Sequence, residues 1–130
     1  MPYHATWETR GVYVDYVGET SDTELARLAR CVQGDPRYDD LRWLFHDFRE
    51  CTGTTFSPRN IKMLAATDAA AALSNPRMKV AAVADMQDVI EMLTTYQDTR
   101  FGASALREPP LRVFAAVDDA RAWLGMNASA

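Results

Sequence analysis

The sequence predicts a single α/β domain: one layer of mixed, mostly parallel sheet with four to five strands and helices packed against it. Three observations predict it. Short runs of β-branched and aromatic residues alternate with segments of helical apolar spacing. The resulting order, β-β-α-β-α-β-α-β-α, is that of strands joined by right-handed helical crossovers. The length of 130 residues suits one domain with a core of its own.

The elements follow in order. Tyr3 to Glu8 and Val12 to Val17 are rich in Tyr, Trp, Thr and Val, and Arg10-Gly11 between them is a plausible turn. They read as a hairpin that adds one antiparallel strand, with Gly18 expected to end it. Ser21-Asp22-Thr23-Glu24 is a capping box, and Leu25, Leu28, Ala29 and Val32 continue one helical face. Gly34 is expected to close this helix in a left-handed conformation. Asp35-Pro36-Arg37-Tyr38 is a turn into a buried strand, Leu41 to Asp47, followed by a Thr- and Ser-rich loop.

Ser57 caps the next helix, and Pro58 takes its first turn, where a missing amide costs nothing. Ile61, Leu64, Ala65 and Ala72 can face inward, and the Ala-rich stretch from Ala69 to Ala72 is expected to pack closely on the sheet. Asn75-Pro76 ends the helix. Met78 to Ala84 reads as a strand covered on both faces, and Asp85 as the cap of a helix carrying Met86, Val89, Ile90, Leu93 and Tyr96 to about Arg100. Phe101 to Pro110 is a loop, Leu111 to Phe114 a last strand, and Asp118 to Leu124 a last helix stopped by Gly125. Residues 1–125 form the expected domain and 126–130 a flexible tail.

Composition narrows the function classes. A net charge of -4 provides no basic face for nucleic acid or an anionic membrane surface. No apolar run reaches the length of a bilayer span, and no basic segment followed by an apolar run marks a signal peptide. Cys31 and Cys51 read as reduced thiols, hence a cytoplasmic location. They show no zinc-ligand spacing with His4 and His46, and Gly53 stands outside any phosphate-binding glycine motif. No metal or cofactor is expected.

Several of these pieces together resemble a known group. They are the hairpin ending in Val17-Gly18, the capped helix, the Asp35-Pro36-Arg37-Tyr38 turn and the strand ending in Asp47. To these are added the Lys79-Val80-Ala81-Ala82-Val83-Ala84 strand and the closing Val113-Phe114 with Asp119-Ala120-Arg121-Ala122-Trp123-Leu124. The pattern is similar to that of small bacterial proteins with the SpoIIAA-like, or STAS-like, fold. The resemblance implies a four- or five-stranded mixed sheet and, in the anti-sigma factor antagonists, binding to a partner kinase. There a serine at the start of the second helix is the phosphorylation switch. Asp47 matches the family's strand-end Asp, and Ser57 falls near the switch serine. Thr55-Phe56-Ser57-Pro58 stands where those antagonists carry Asp-Ser-Ser-Gly.

The expected function is a non-enzymatic regulatory or protein-interaction module, with an unidentified protein partner and a plausible homodimer. Its surface is expected at Asp47, Arg49, Thr52, Thr54, Thr55, Ser57 and Arg59, with Ser57 the candidate phosphosite. Each also has a plainer role: Ser57 suffices as a helix cap, Asp47 can fix a turn, the threonines can satisfy loop backbone, and the arginines can be solvated. A second reading is a carrier of a small apolar ligand, requiring a void of roughly 300 Å³ or more beside the second and third helices. A third is an enzyme, requiring His46, Asp47 and Cys51 to converge in one cleft. Because strand neighbours point to opposite faces, His46 and Asp47 need not meet.

Overall fold

Backbone pairing organises the molecule around one parallel strand pair. The computed structural model describes residues 3–102 and 110–125. Its elements are β1 (Tyr3–Glu8), β2 (Gly11–Ser21), α1 (Asp22–Gln33), a 3-10 turn (Tyr38–Asp40), β3 (Trp43–Thr55), α2 (Pro58–Ala71), β4 (Lys79–Val83), α3 (Gln87–Phe101), β5 (Leu111–Phe114) and α4 (Val117–Leu124). The five strands lie in chain order. β1 is antiparallel to β2, and β2 through β5 are parallel.

This order explains where the helices go. Each parallel strand is laid on the same side of its predecessor, so right-handed crossovers place all three connecting helices on one face. The buried side chains agree: Leu25, Leu28 and Val32 of α1, Ile61 and Ala65 of α2, and Val89, Met92 and Leu93 of α3 pack with Val12, Val14, Tyr16, Val80 and Ala82 of the sheet. α4 follows the last strand and is free to take the other face. There Ala120 packs on Trp43, Phe45, Ala81 and Val83. β4 is covered on both sides from Val80 to Val83, and that run is accordingly made of small and β-branched residues.

The helix signals hold with three corrections. The Ser21–Glu24 capping box forms, and Ser57 Oγ accepts from the Asn60 amide at 3.0 Å with Pro58 in the first turn. Gly34, however, is right-handed (φ −84°); the chain passes straight into the Asp35 turn and needs no reversal. Met86, not Asp85, occupies the cap of α3, without a side-chain bond. Ala69 and Ala70 are exposed; of that stretch Ala71 reaches the core, and Ile61 and Ala65 make the fully buried packing. Gly125 does end α4 in the left-handed region. The loop expected over Phe101–Pro110 and the tail at 126–130 lie largely or wholly outside the described residues. Among the described residues no helix is long and apolar enough to cross a membrane.

Two further features hold the parallel strands in place. Asn75, 4% exposed, donates through Nδ2 to the carbonyls of Tyr38 (2.8 Å) and Leu41 (2.9 Å), fastening the end of α2 to the entrance of β3. At the hairpin, Arg10 adopts φ 61° and brings Gly11 beneath the Trp43 ring, where an added Cβ would lie 1.8 Å from a ring carbon. Gly11→Ala should displace a buried indole and destabilise the domain by about 2 kcal/mol. Urea unfolding of the two proteins measures it; equal midpoints would mean that the ring is not held there.

Candidate functional site

The strand containing Asp47 does not end there. β4 stops pairing with β3 at Asp47↔Val83, and among the described residues the last β1–β2 pair is Tyr3↔Tyr16. The β2–β3 register nevertheless runs on to Ser21↔Thr55. The expected loop at 48–56 is therefore mostly strand, and Gly18 does not end β2. Two irregularities make this possible: register shifts fall between Asp15 and Val17 and between Gly18 and Glu19, and Gly18 takes φ 74°. Such bulges add twist and bend a strand. They also place Phe48 and Cys51, three residues apart, in the same core.

The product is a two-stranded parallel ribbon, residues 17–21 and 48–55, projecting past the sheet. Its outer edges have no ladder partner among the described residues. Val17, Glu19, Arg49, Glu50, Thr52 and Thr55 are exposed along it. The ribbon ends where both α1 and α2 begin. Asp22 of α1 crosses between the tips: its Oδ2 accepts from the Ser57 amide (2.8 Å) and from Asn60 Nδ2 (3.1 Å). One carboxylate thus serves the positive ends of two parallel helix dipoles.

The expected site residues divide into two groups. Asp47 is buried on the α4 side of β3 and accepts a short bond from the Tyr13 hydroxyl. It also takes the Arg49 amide (3.0 Å) and the Arg49 guanidinium (2.8 Å). Burial opposes its ionisation, but the bonds from Arg49 and Tyr13 outweigh this and hold its carboxyl below the usual range. The same arrangement, led by burial, pushes Tyr13 up to about 12. On the opposite face Thr54 Oγ1 meets Met92 Sδ at 3.5 Å, and Ser57 sits with Asp22. Thr52, Thr55 and Arg59 face solvent. His46 and Cys51 pack on the α1–α3 side, away from Asp47, so the three do not converge in one cleft.

Sequence reasoning missed a second polar group, on the α1–α3 face. Tyr16 Oη lies 2.8 Å from His46 Nδ1, and Tyr16 stacks on Phe48 with ring centroids 4.3 Å apart. Asp68 of α2 accepts from Tyr96 Oη (2.5 Å) and Gln33 Nε2 (2.7 Å), and Arg100 donates to Tyr96 Oη (3.0 Å). Burial raises the Asp68 carboxyl despite these bonds and, with the charge of Asp68, drives Tyr96 well above its ordinary value. These groups border a partly enclosed cavity of about 90 Å³ under the three helices. Tyr16, Tyr38, Phe48 and Tyr96 are its aromatic lining, whereas Tyr13, Trp43 and Phe45 belong to the α4 face.

The chain is similar in structure to the anti-sigma factor antagonist SpoIIAA in its unphosphorylated form. Identity is 10%, the TM-score is 0.57, and the alignment covers 90% of this chain and 91% of that one. It also aligns with an uncharacterized protein of the DUF3478 family with a SpoIIAA-like fold from Shewanella loihica, at 14% identity and a TM-score of 0.46 over 94% and 91% of the two chains. No family model and no curated protein matches the sequence. The fold is SpoIIAA-like, as the pattern of strands and capped helices implied.

Burial lowers the His46 pKa from 6.5 to about 4. Between these values the unfolded chain binds a proton that the folded chain refuses, so this group's contribution to stability falls as pH drops from 6.5 and levels off below about 4. Asp68 acts with the opposite sign, because its raised pKa favours protonation of the folded chain. Comparing the wild type with His46→Leu isolates the first effect. The variant should lack the wild type's loss of up to about 3 kcal/mol as pH falls through that window, measured by urea unfolding at several pH values. An unchanged slope would show that His46 takes up a proton in the folded protein.

Proposed function

We propose that the protein is a non-enzymatic regulatory module that binds a protein partner in the cytoplasm, with the β2–β3 ribbon and the adjoining tip of α2 as its contact surface. The observation that carries this reading is the ribbon itself. A strand edge without a ladder partner presents alternating amides and carbonyls to solvent, and such an edge accepts an extended segment of another chain. Arg49, Thr52 and Thr55 line that edge, with Ser57 and Arg59 at its tip. Arg49 is held by Asp47, so its guanidinium is preset at the base of the ribbon. The likeness of the fold to an anti-sigma factor antagonist is consistent with such a role. The carrier reading is less well supported, because a cavity of about 90 Å³ falls well below the 300 Å³ or so of a pocket that encloses a ligand.

Within this reading Ser57 is a disruptive switch. Its amide and the Asn60 side chain both bind Asp22. A phosphate would add about −1.5 to −2 charge beside that carboxylate. It would separate the α1 and α2 tips and change the shape of the contact surface.

A photo-crosslinking residue at Thr52 or Thr55, introduced into the protein in its own host cells, should give one discrete adduct absent when the same residue replaces Arg27 on α1. Ser57→Asp should reduce that adduct several-fold, whereas Ser57→Ala, which loses only a cap of about 1 kcal/mol, should retain it. Adducts of equal yield at Arg27, or none at the ribbon, would contradict the proposed surface. Equal yields from both Ser57 variants would remove the switch.

A further inference from the structure

The sheet has two outer strands, and they are protected unequally. β5 is four residues long, follows Pro110 and carries Arg112. Gln97 Nε2 donates to its Leu111 carbonyl at 3.2 Å. Short length, a basic side chain, proline and a covering group are the usual means of keeping an edge from pairing. β1 has none of them. Its six residues, Tyr-His-Ala-Thr-Trp-Glu, include no Lys, Arg, Pro or Gly. Its register with β2 runs from Tyr3↔Tyr16 to Glu8↔Gly11 without a bulge. Among the described residues no strand lies beyond it.

The hairpin decides which groups this edge offers. A two-residue turn joins Glu8 to Gly11. Glu8, Thr6 and His4 therefore exchange backbone bonds with β2, while Tyr3, Ala5 and Trp7 direct their amides and carbonyls outward. The side chains alternate in the same rhythm. Tyr3, Ala5 and Trp7 pack against the core beneath α1–α3, and His4, Thr6 and Glu8 are exposed on the opposite face. Neither His4 nor Glu8 has an ion-pair partner: among the described residues those pairs are Arg37–Asp35 and Arg49–Asp47.

The strand is complementary to itself. Residues opposite each other in an antiparallel pair point to the same side of the sheet, so a second copy of β1 can meet the first in two registers. Centred on Ala5, His4 faces Thr6 and Glu8 falls beyond the overlap. Centred on Thr6, His4 faces Glu8 twice and the small Ala5 faces the large Trp7 twice. The second register matches charge and volume together. An imidazole offers an N–H to a carboxylate in either protonation state, and the Ala5 and Trp7 backbones then meet in the hydrogen-bonded pairs.

We propose that β1 is a homodimer interface, in which two copies join edge to edge about a two-fold axis at Thr6, with His4 of each copy opposite Glu8 of the other. This gives a place to the homodimer expected from the sequence. It does not rest on the partner-binding reading, because the ribbon belongs to β2 and β3. The two five-stranded sheets become one continuous sheet. The axis reverses strand direction, so the two ribbons project from opposite ends of the dimer.

Analytical ultracentrifugation and directed disulfide formation test this. One strand pair buries less than a standard interface of about 1,600 Å², so the wild type should show a monomer–dimer equilibrium with a Kd on the order of 100 μM. Ala5→Pro removes an outward amide and spares the bonds to β2; it should abolish the dimer while keeping the far-ultraviolet circular dichroism. Glu8→Lys should weaken association about tenfold, whereas Glu91→Lys, on the exposed side of α3, should not. In a Cys31→Ser background, which removes the exposed thiol, Thr6→Cys should form a linked dimer under mild oxidation, because the position faces its own copy across the axis. Thr94→Cys, exposed on α3, should not. The wild-type and disulfide comparisons stand even if Ala5→Pro fails to fold. A monomer up to about 1 mM, tenfold above that Kd, would overturn the proposal. So would a dimer that survives Ala5→Pro, equal effects of Glu8→Lys and Glu91→Lys, or linkage at Thr6 no faster than at Thr94.

Discussion

The β2–β3 pairing is the constraint on which the rest of the structure depends. It is the longest strand pair, running from Gly11↔Trp43 to Ser21↔Thr55. Its lower half seats the hairpin and receives β4, and so fixes the plane against which every helix packs. Its upper half carries the N-caps of α1 and α2 to one place. Neither helix could start where it does if the strands stopped at Val17 and Asp47, as their glycine and charged neighbours suggest. The two bulges reconcile these demands: they bend the pair enough to return Phe48, Cys51 and Thr20 to the core while leaving the outer edges clear.

The two faces of the sheet have different chemistry for the same topological reason. Three crossover helices cover one face with curved surfaces that do not fill it completely, and the remaining space collects the His46–Tyr16 pair and the Asp68–Tyr96–Gln33 group. The other face has one short helix. Its packing is aromatic and closed, with Trp43, Phe45, Phe114 and Trp123 around Ala120. Asp47 lies at the edge of that closed layer. Arg49 and Tyr13 compensate its burial, which accounts for a buried carboxylate that stays charged.

Much of the fold was legible because local and global signals agree. The capping box at Ser21–Glu24, Ser57-Pro58, the alternating hairpin and the uninterrupted Val80–Val83 run each specify an element without reference to the remainder. Residues 48–55 were not legible because the bulges break the period of two. With Phe48 and Cys51 both inward, Arg49-Glu50 and Gly53 read as loop residues. Only the partner strand, whose Glu19–Ser21 pair with Gly53–Thr55, reveals the extension. The stretch expected to form the surface, Asp47–Arg59, reads as one loop, but its shape, a ribbon edge on two faces, depends on register. Asp22 beside Ser57, and Asp68 with Tyr96, are contacts between residues 35 and 28 apart. No spacing rule within a single element reaches that far.

Amide hydrogen exchange read together with interstrand NOEs over residues 48–55 tests the central claim most directly. A ribbon gives contacts between Gly18 and Cys51 and between Thr20 and Thr54. Amides directed toward β2 then exchange slowly, and those directed to the free edge exchange at rates near the unprotected value. Uniformly fast exchange without interstrand contacts would mean a loop after Asp47. Slow exchange on both sides would mean an edge already covered. Either result contradicts the account.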